Sequence, residues 1–190
     1  MTSLKAFWWN VRSEGQLLAL WLLAALPGGL GAWIRARSMR AFLRELGHDT
    51  VIQTGIHLTN PELISIGSHC NLARNVFITG GGDVRIGDWV GLGPDVKIWS
   101  VNHRFEDPEC PWQLQGWEKK AVIIEDDVWV AASSFVMPGV TIGQGAIISA
   151  CTVVSKSIPP YAVVAGNPGR IVGWRRRPDH IGTDQKTFGT

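Results

Sequence analysis

The chain is short of cysteine, of tyrosine and of charge of one sign. Its 190 residues contain three cysteines, Cys70, Cys110 and Cys151, an odd number at no disulfide or metal-ligand spacing. That excludes a disulfide framework and points to a reduced protein. Cys70 and Cys151 fall where core fillers are expected. The formal net charge is only +2, so no nucleic acid or other bulk polyanion is implied as a partner. Long apolar runs are missing too. The run Leu17 to Leu26 is ten residues, and Pro27-Gly28-Gly29 breaks it before a second apolar patch reaches Ile34. A bilayer needs roughly 20 continuous residues, so no span is expected.

What the chain has is a six-residue beat. Apolar anchors recur at Ile86, Leu92 and Ile98, then at Ile124, Val130, Val136, Ile142, Ile148 and Val154. A second small or branched residue follows four positions after many anchors, as at Val90, Val96, Val128, Val140, Ala146, Thr152 and Ile158. Neither a helix nor an ordinary strand repeats every six residues. A solenoid of short strands does, with three hexads to a triangular coil. The rhythm starts weakly at Ile52, Leu58, Ile66, Leu72 and Ile78, giving about five coils. Two eight-residue intervals place bulges at Asn60-Pro61 and Gly80-Gly81-Gly82. Gly87, Gly93 and Gly143 follow anchors, where they relax the backbone at corners.

The segments Ile86-Gly87-Asp88, Val136-Met137-Pro138-Gly139-Val140-Thr141-Ile142-Gly143 and Val164-Ala165-Gly166-Asn167-Pro168-Gly169-Arg170 resemble the hexapeptide-repeat acyltransferases. The likeness is to the maltose and galactoside O-acetyltransferases, the xenobiotic acetyltransferases and those of exopolysaccharide synthesis, and it covers about Ile52 to Trp174. It implies an all-β fold, a left-handed parallel β-helix, here with an N-terminal helical arm. It also implies a homotrimer that uses acetyl-CoA and no metal. The chain divides into an arm at 1–46, a β-helix domain at 47–174 with an insertion at 104–121, and a tail at 175–190 expected to be loosely ordered.

The arm crowds Trp8, Trp9, Trp21 and Trp33 beside six Lys/Arg and two Glu. Met39, Phe42, Leu43 and Leu46 share one face of an expected basic helix, with Arg37, Arg40 and Arg44 off it. Two uses fit: a peripheral contact with the cytoplasmic membrane face, or packing on the end of the solenoid, whose strand edges need covering. A secretory leader would separate the enzyme from its acyl donor, so a cytoplasmic location is expected.

Among His48, His57, His69, His103 and His180, only His103 closes a coil and precedes a long insertion. In its Asn102-His103 setting it matches the family's catalytic histidine. Imidazole titrates near neutrality and can take a proton from an acceptor hydroxyl as that oxygen attacks a thioester carbonyl. The sequence does not single out what orients this imidazole; a nearby carbonyl and a carboxylate of the Asp107-Glu109 loop are both open candidates. The resemblance assigns cofactor contacts to Trp129, Ala132, Ala150, Ser155, Lys156 and Arg170. It assigns acceptor contacts to Asn75 and Asn102. The family's later basic residue is Gly173 here, with Arg175 close by, and its Asn-x-Asn is reduced to Ala73-x-Asn75.

The activity implied is transfer of acetyl from acetyl-CoA to a sugar hydroxyl in surface-polysaccharide synthesis. A small-molecule acetyltransferase is the alternative, since Asn102-His103-Arg104 and Gly116-Trp117-Glu118-Lys119 resemble the xenobiotic branch. A γ-type carbonic anhydrase needs three converging histidines, and no His-x4-His follows His103. A non-catalytic scaffold would not need His103 or the Gly-Asn-Pro-x-Arg ending. If the insertion leaves the face count intact, Ile124 restarts the face of Ile86. His103 and Trp129 then fall at different corners, and a shared cleft has to lie between subunits.

Overall fold

The computed structural model describes residues 2–176, with side chains from Glu14 onward. The hexads build three parallel sheets that wrap one core. Face one stacks Glu45–Leu46, Ile64–Ile66, Val84–Ile86, Val122–Ile124 and Thr141–Ile142. Face two stacks Val51–Ile52, Asn71–Leu72, Gly91–Leu92, Trp129–Val130, Ile147–Ile148 and Ala162–Ala165. The antiparallel strand Arg170–Trp174 closes that face. Face three stacks His57–Thr59, Phe77–Thr79, Lys97–Trp99, Phe135–Val136 and Val153–Val154. The anchors point inward; Ile52, Leu72, Ile78, Ile98, Ile124, Val130, Val136, Ile142 and Ile148 are fully buried. Each such side chain contributes about 1.5–3 kcal/mol of burial.

The register across the insertion is the expected one. Ile124 pairs with Ile86, and Val130 with Leu92. The coil begins one face earlier than the rhythm announces, at Glu45–Leu46, which pairs with Ser65 and Ile66. Five coils are complete, and Ile158 and Ala162–Ala165 start a sixth. The solenoid corners stack residues with left-handed backbone. One series, between faces one and two, is Asp49, His69, Trp89, Asp127, Gly145 and Tyr161.

The arm is two helices, α1 (Thr2–Ala25) and α2 (Gly28–Met39), broken at Pro27 as expected. The basic helix expected to run to Leu46 stops at Met39. Phe42 and Leu43 lie in turns, and Leu46 is in the first strand. The core captures them through tertiary burial rather than helical register: Met39 and Leu43 are buried and Phe42 packs beside them.

Arg35 docks the arm. It is fully buried. Its Nε donates to the Ile52 carbonyl at 2.8 Å, and Nη1 donates to the carbonyls of Leu23 and Leu26. The latter two close the C-terminal end of α1, where a cation is favoured. Burial lowers the guanidinium pKa. Gly55 N–H adds a bond to the Ala24 carbonyl, so the arm covers the first coil. Beyond Leu20 and Ala24, which are buried, Leu17, Leu18, Trp21, Leu22, Leu30 and Trp33 remain exposed.

Two further expectations change. Cys70 is buried, and burial pushes its thiol pKa up. Cys151, expected in the core, is exposed at a corner with φ of 58° because it takes the turn position after the strand, not an anchor position. Arg175 and Arg176, assigned to the tail, are engaged. Arg175 bonds the Asp127 carboxylate and the Gly145 carbonyl, and Arg176 lies over the Tyr161 ring. His180 and the rest of the tail lie outside the described residues.

Candidate active site

Three irregular turns of the solenoid fall at one corner, between faces three and one. The short helix Pro61–Leu63, the Gly80–Asp83 turn and the insertion follow successive strands of face three. The insertion is not a structureless loop. Val101–His103 pairs antiparallel with Trp117–Lys119, placing His103 opposite Trp117. Ser100, fully buried, locks the base of this hairpin. Its hydroxyl donates to the Thr79 carbonyl and accepts from Gly82 N–H, and its carbonyl accepts from Lys120 N–H at 2.9 Å. Gln115 braces the outer loop, donating to the carbonyls of Asp107 and Cys110 and accepting from Asp107 N–H.

His103 is clamped by rings. Trp117 lies 3.6 Å from it, centroid to centroid, and Trp112 meets it edge-on at 4.5 Å. Asn102 Oδ1 accepts from the His103 N–H at 3.0 Å. The expected polar orienting group is not there among the described residues. His103 Nδ1 is buried without a hydrogen-bond partner, and the Asp107 carboxylate accepts instead from Glu109 N–H. The two tryptophans hold the ring, a role that no repeat or spacing in the sequence marks.

Trp117 also lines a concave site of about 440 Å³ with Thr59, Asn60, Thr79, Trp99 and Val101. Trp99 Nε1 is buried there with no partner. An indole N–H without an acceptor beside an aromatic wall suits a ligand that offers both an oxygen and an apolar face.

The other candidate residues distribute over the prism. Asn102, His103, Ser155 and Lys156 share the corner between faces three and one. Ala132 and Ala150 stack on successive coils at the corner between faces two and three, where Cys151 N–H reaches the Ala132 carbonyl. A Cβ on Gly93, one coil before Ala132, would lie 2.6 Å from the Ala132 nitrogen, so glycine is required for those two coils to stack. Arg170 is at the same corner, on the turn that Gly169 N–H anchors to the Val153 carbonyl. Asn75 is there as well, with left-handed backbone and its amide donating to Asp95 at 3.1 Å. Trp129, expected at the corner between faces one and two, stands instead on the outer surface of face two, in strand with Gly91 and with its ring over that glycine.

A solenoid of stacked hexapeptide coils points to a class of bacterial transferases. Residues 121–156 match the bacterial transferase hexapeptide (six repeats) family. Nodulation protein L of Rhizobium meliloti is 34% identical over 158 residues, covering 75% of this chain and 84% of that protein. The chloramphenicol acetyltransferase of Klebsiella aerogenes is 32% identical over 61% of this chain, and the match spans only 53% of that relative. A hexapeptide-repeat acetyltransferase of Vibrio cholerae, solved with acetyl-CoA, superposes with a TM-score of 0.78. It is 29% identical over 86% of this chain and 87% of that one. The chain belongs to the hexapeptide-repeat acetyltransferase family.

Proposed function

We propose that this protein is an acetyl-CoA-dependent O-acetyltransferase acting on a sugar hydroxyl in surface-polysaccharide synthesis, with His103 as general base. The observation that carries the reading is the shared tryptophan: Trp117 packs on His103 and also walls the aromatic groove. With Nδ1 buried, Nε2 is the nitrogen left to take the acceptor proton. The acceptor oxygen then attacks the thioester carbonyl, the carbon–sulfur bond breaks, and CoA leaves as the thiol after protonation. No nucleophilic serine or cysteine is needed. The apolar faces of sugar rings suit Trp99 and Trp117, and the maltose and galactoside likeness points the same way. Trp129, Ala132, Ala150, Ser155, Lys156 and Arg170 hold acetyl-CoA, while Asn75 and Asn102 hold the acceptor. Because these residues are spread over two corners and the outer surface of face two, the working unit is a homotrimer whose clefts lie between subunits. No described helix is long and apolar enough to cross a membrane. Outward-facing Trp21, Leu30 and Trp33 near Arg37 suit a peripheral contact with an anionic surface.

The test is acetyl-CoA turnover against a panel of free sugars, undecaprenyl-linked glycans and small aromatic antibiotics. Turnover on a glycan hydroxyl is expected. Turnover confined to the antibiotics would move the protein to the small-molecule branch.

A further inference from the structure

The corner between faces one and two carries a cluster that acetyl transfer does not use. His48 and Asp49 turn the first coil, and His69 occupies the position one coil above Asp49. The ladder fixes the offset, because His69 N–H donates to the His48 carbonyl at 2.9 Å. Asp49 and His69 both have left-handed backbone, with φ of 54° and 57°. Trp89, next in the same series, stacks on His69 at 4.1 Å and 17°, leaving His69 less mobile than an isolated surface histidine. His48 stands edge-on to His69 at 4.8 Å.

The donor atoms converge. His48 Nδ1 is 2.9 Å from Asp49 Oδ2, His69 Nδ1 is 3.9 Å from the same oxygen, and one ligand atom from each residue lies within 4.8 Å of the other two. A first-row ion bound at about 2.0–2.2 Å to imidazole and carboxylate needs ligand atoms a little over 3 Å apart. His48 and Asp49 are 67% and 72% exposed, so small side-chain rotations close the remaining gap. Asp49 also lines the open groove between α2 and the first coil, which gives an ion a way in. The cation facing the cluster is Arg40, whose Nη2 is turned to the Gly47 carbonyl at 3.2 Å.

We propose that His48, Asp49 and His69 form a surface site for a divalent first-row transition ion such as Zn²⁺. Two imidazoles and one carboxylate favour such an ion over Mg²⁺ or Ca²⁺, and three protein ligands leave a coordination position for water. The ion replaces the proton shared between His48 and Asp49 and ties the first coil to the second beneath the arm. None of the three ligands is among the residues assigned above to acetyl transfer.

The experiment is calorimetric titration of the full-length metal-free chain with Zn²⁺, repeated on His69→Ala, Asp49→Asn, His180→Ala and Cys151→Ser, with circular dichroism as the fold control. One ion per chain is expected. Affinity should drop more than about tenfold in His69→Ala and in Asp49→Asn, as coordination requires each ligand. It should be unchanged in His180→Ala and Cys151→Ser. Asp49→Asn keeps a residue suited to left-handed backbone and serves if His69→Ala does not fold. Absence of saturable binding in the wild type overturns the site. So does binding that survives in the folded His69→Ala or Asp49→Asn protein, or that is lost in His180→Ala or Cys151→Ser.

Discussion

Two corners of the same prism behave in opposite ways. Between faces one and two, every coil turns with the same short step, and Asp49, His69, Trp89, Asp127, Gly145 and Tyr161 stack in one series. Between faces three and one, the turn varies from the Pro61–Leu63 helix to the hairpin of the insertion. The first corner is fixed by backbone contacts between coils. The second is open to insertion because added residues project outward and leave the anchors in register. The same strand physics supports both, and the freedom of the second corner is what lets it carry His103.

The largest test of that contrast is His103→Ala. Loss of a general base is expected to lower kcat by roughly 10²–10⁴-fold with acetyl-CoA affinity nearly unchanged. Near-normal turnover would remove the hairpin from the chemistry. The next test joins the hairpin to face two across subunits. His103→Ala and Trp129→Glu chains, each nearly inactive, should recover roughly a quarter of wild-type activity when randomly coassembled. Verified mixed trimers that stay inactive would put the site within one chain. At the regular corner, a Cβ on Gly87 would meet Asp126 Oδ1 at 2.2 Å and its backbone nitrogen at 3.0 Å. Gly87→Ala should therefore cost about 1–3 kcal/mol in chemical denaturation. Two residues inserted after Gly116, which has open space around it, should cost well under ~0.6 kcal/mol. Equal losses would erase the distinction.

The smallest effect concerns Asp83, at the variable corner, which bridges to Arg44 at 2.6 Å and Arg85 at 2.9 Å. Burial works to raise its pKa, but the hydrogen bonds and charges of Arg44 and Arg85 outweigh it and hold the carboxyl below its ordinary range. A depressed folded-state pKa contributes stability above the unfolded carboxylate's pKa, and that stability is lost as pH falls through the folded value. Asp83→Asn should cost about 0.5–1 kcal/mol at neutral pH, and the gap to wild type should close in acid. A gap that widens in acid would reverse the assignment.

The anchors made the core, the face count and the Ile86–Ile124 register readable, because a fixed period leaves one arrangement that buries them all. Leu46 stands six residues before Ile52, on the period, but it is only half-buried, and its spacing from Met39, Phe42 and Leu43 read as a helix face. Arg35 went unremarked because its three carbonyl acceptors come from two distant segments, the end of α1 and the first coil, and no sequence spacing links them. His103 stood out by position. Its clamp did not, since Trp112 and Trp117 reach it only through a hairpin whose strands carry no hexad and little alternation. The glycine and proline punctuation of the insertion suggested an irregular loop and concealed a paired one.

The hairpin also bears on how the chain reaches its native state. Ser68 and Asp88, in neighbouring coils, are 20 residues apart, whereas Asp88 and Asp126 bridge a gap of 38. Nearly doubling a closure adds about 0.6 kcal/mol of chain entropy and slows the search for a non-local pairing. Zipping Val101–His103 onto Trp117–Lys119 first brings Ser100 against Lys120 and shortens the effective path to that of an ordinary coil. The hairpin that carries His103 is thus placed to act as a local nucleus that restores the solenoid's low contact order. Substitutions that loosen it should delay folding across the seam between the third and fourth coils even where they leave the finished structure as stable as before.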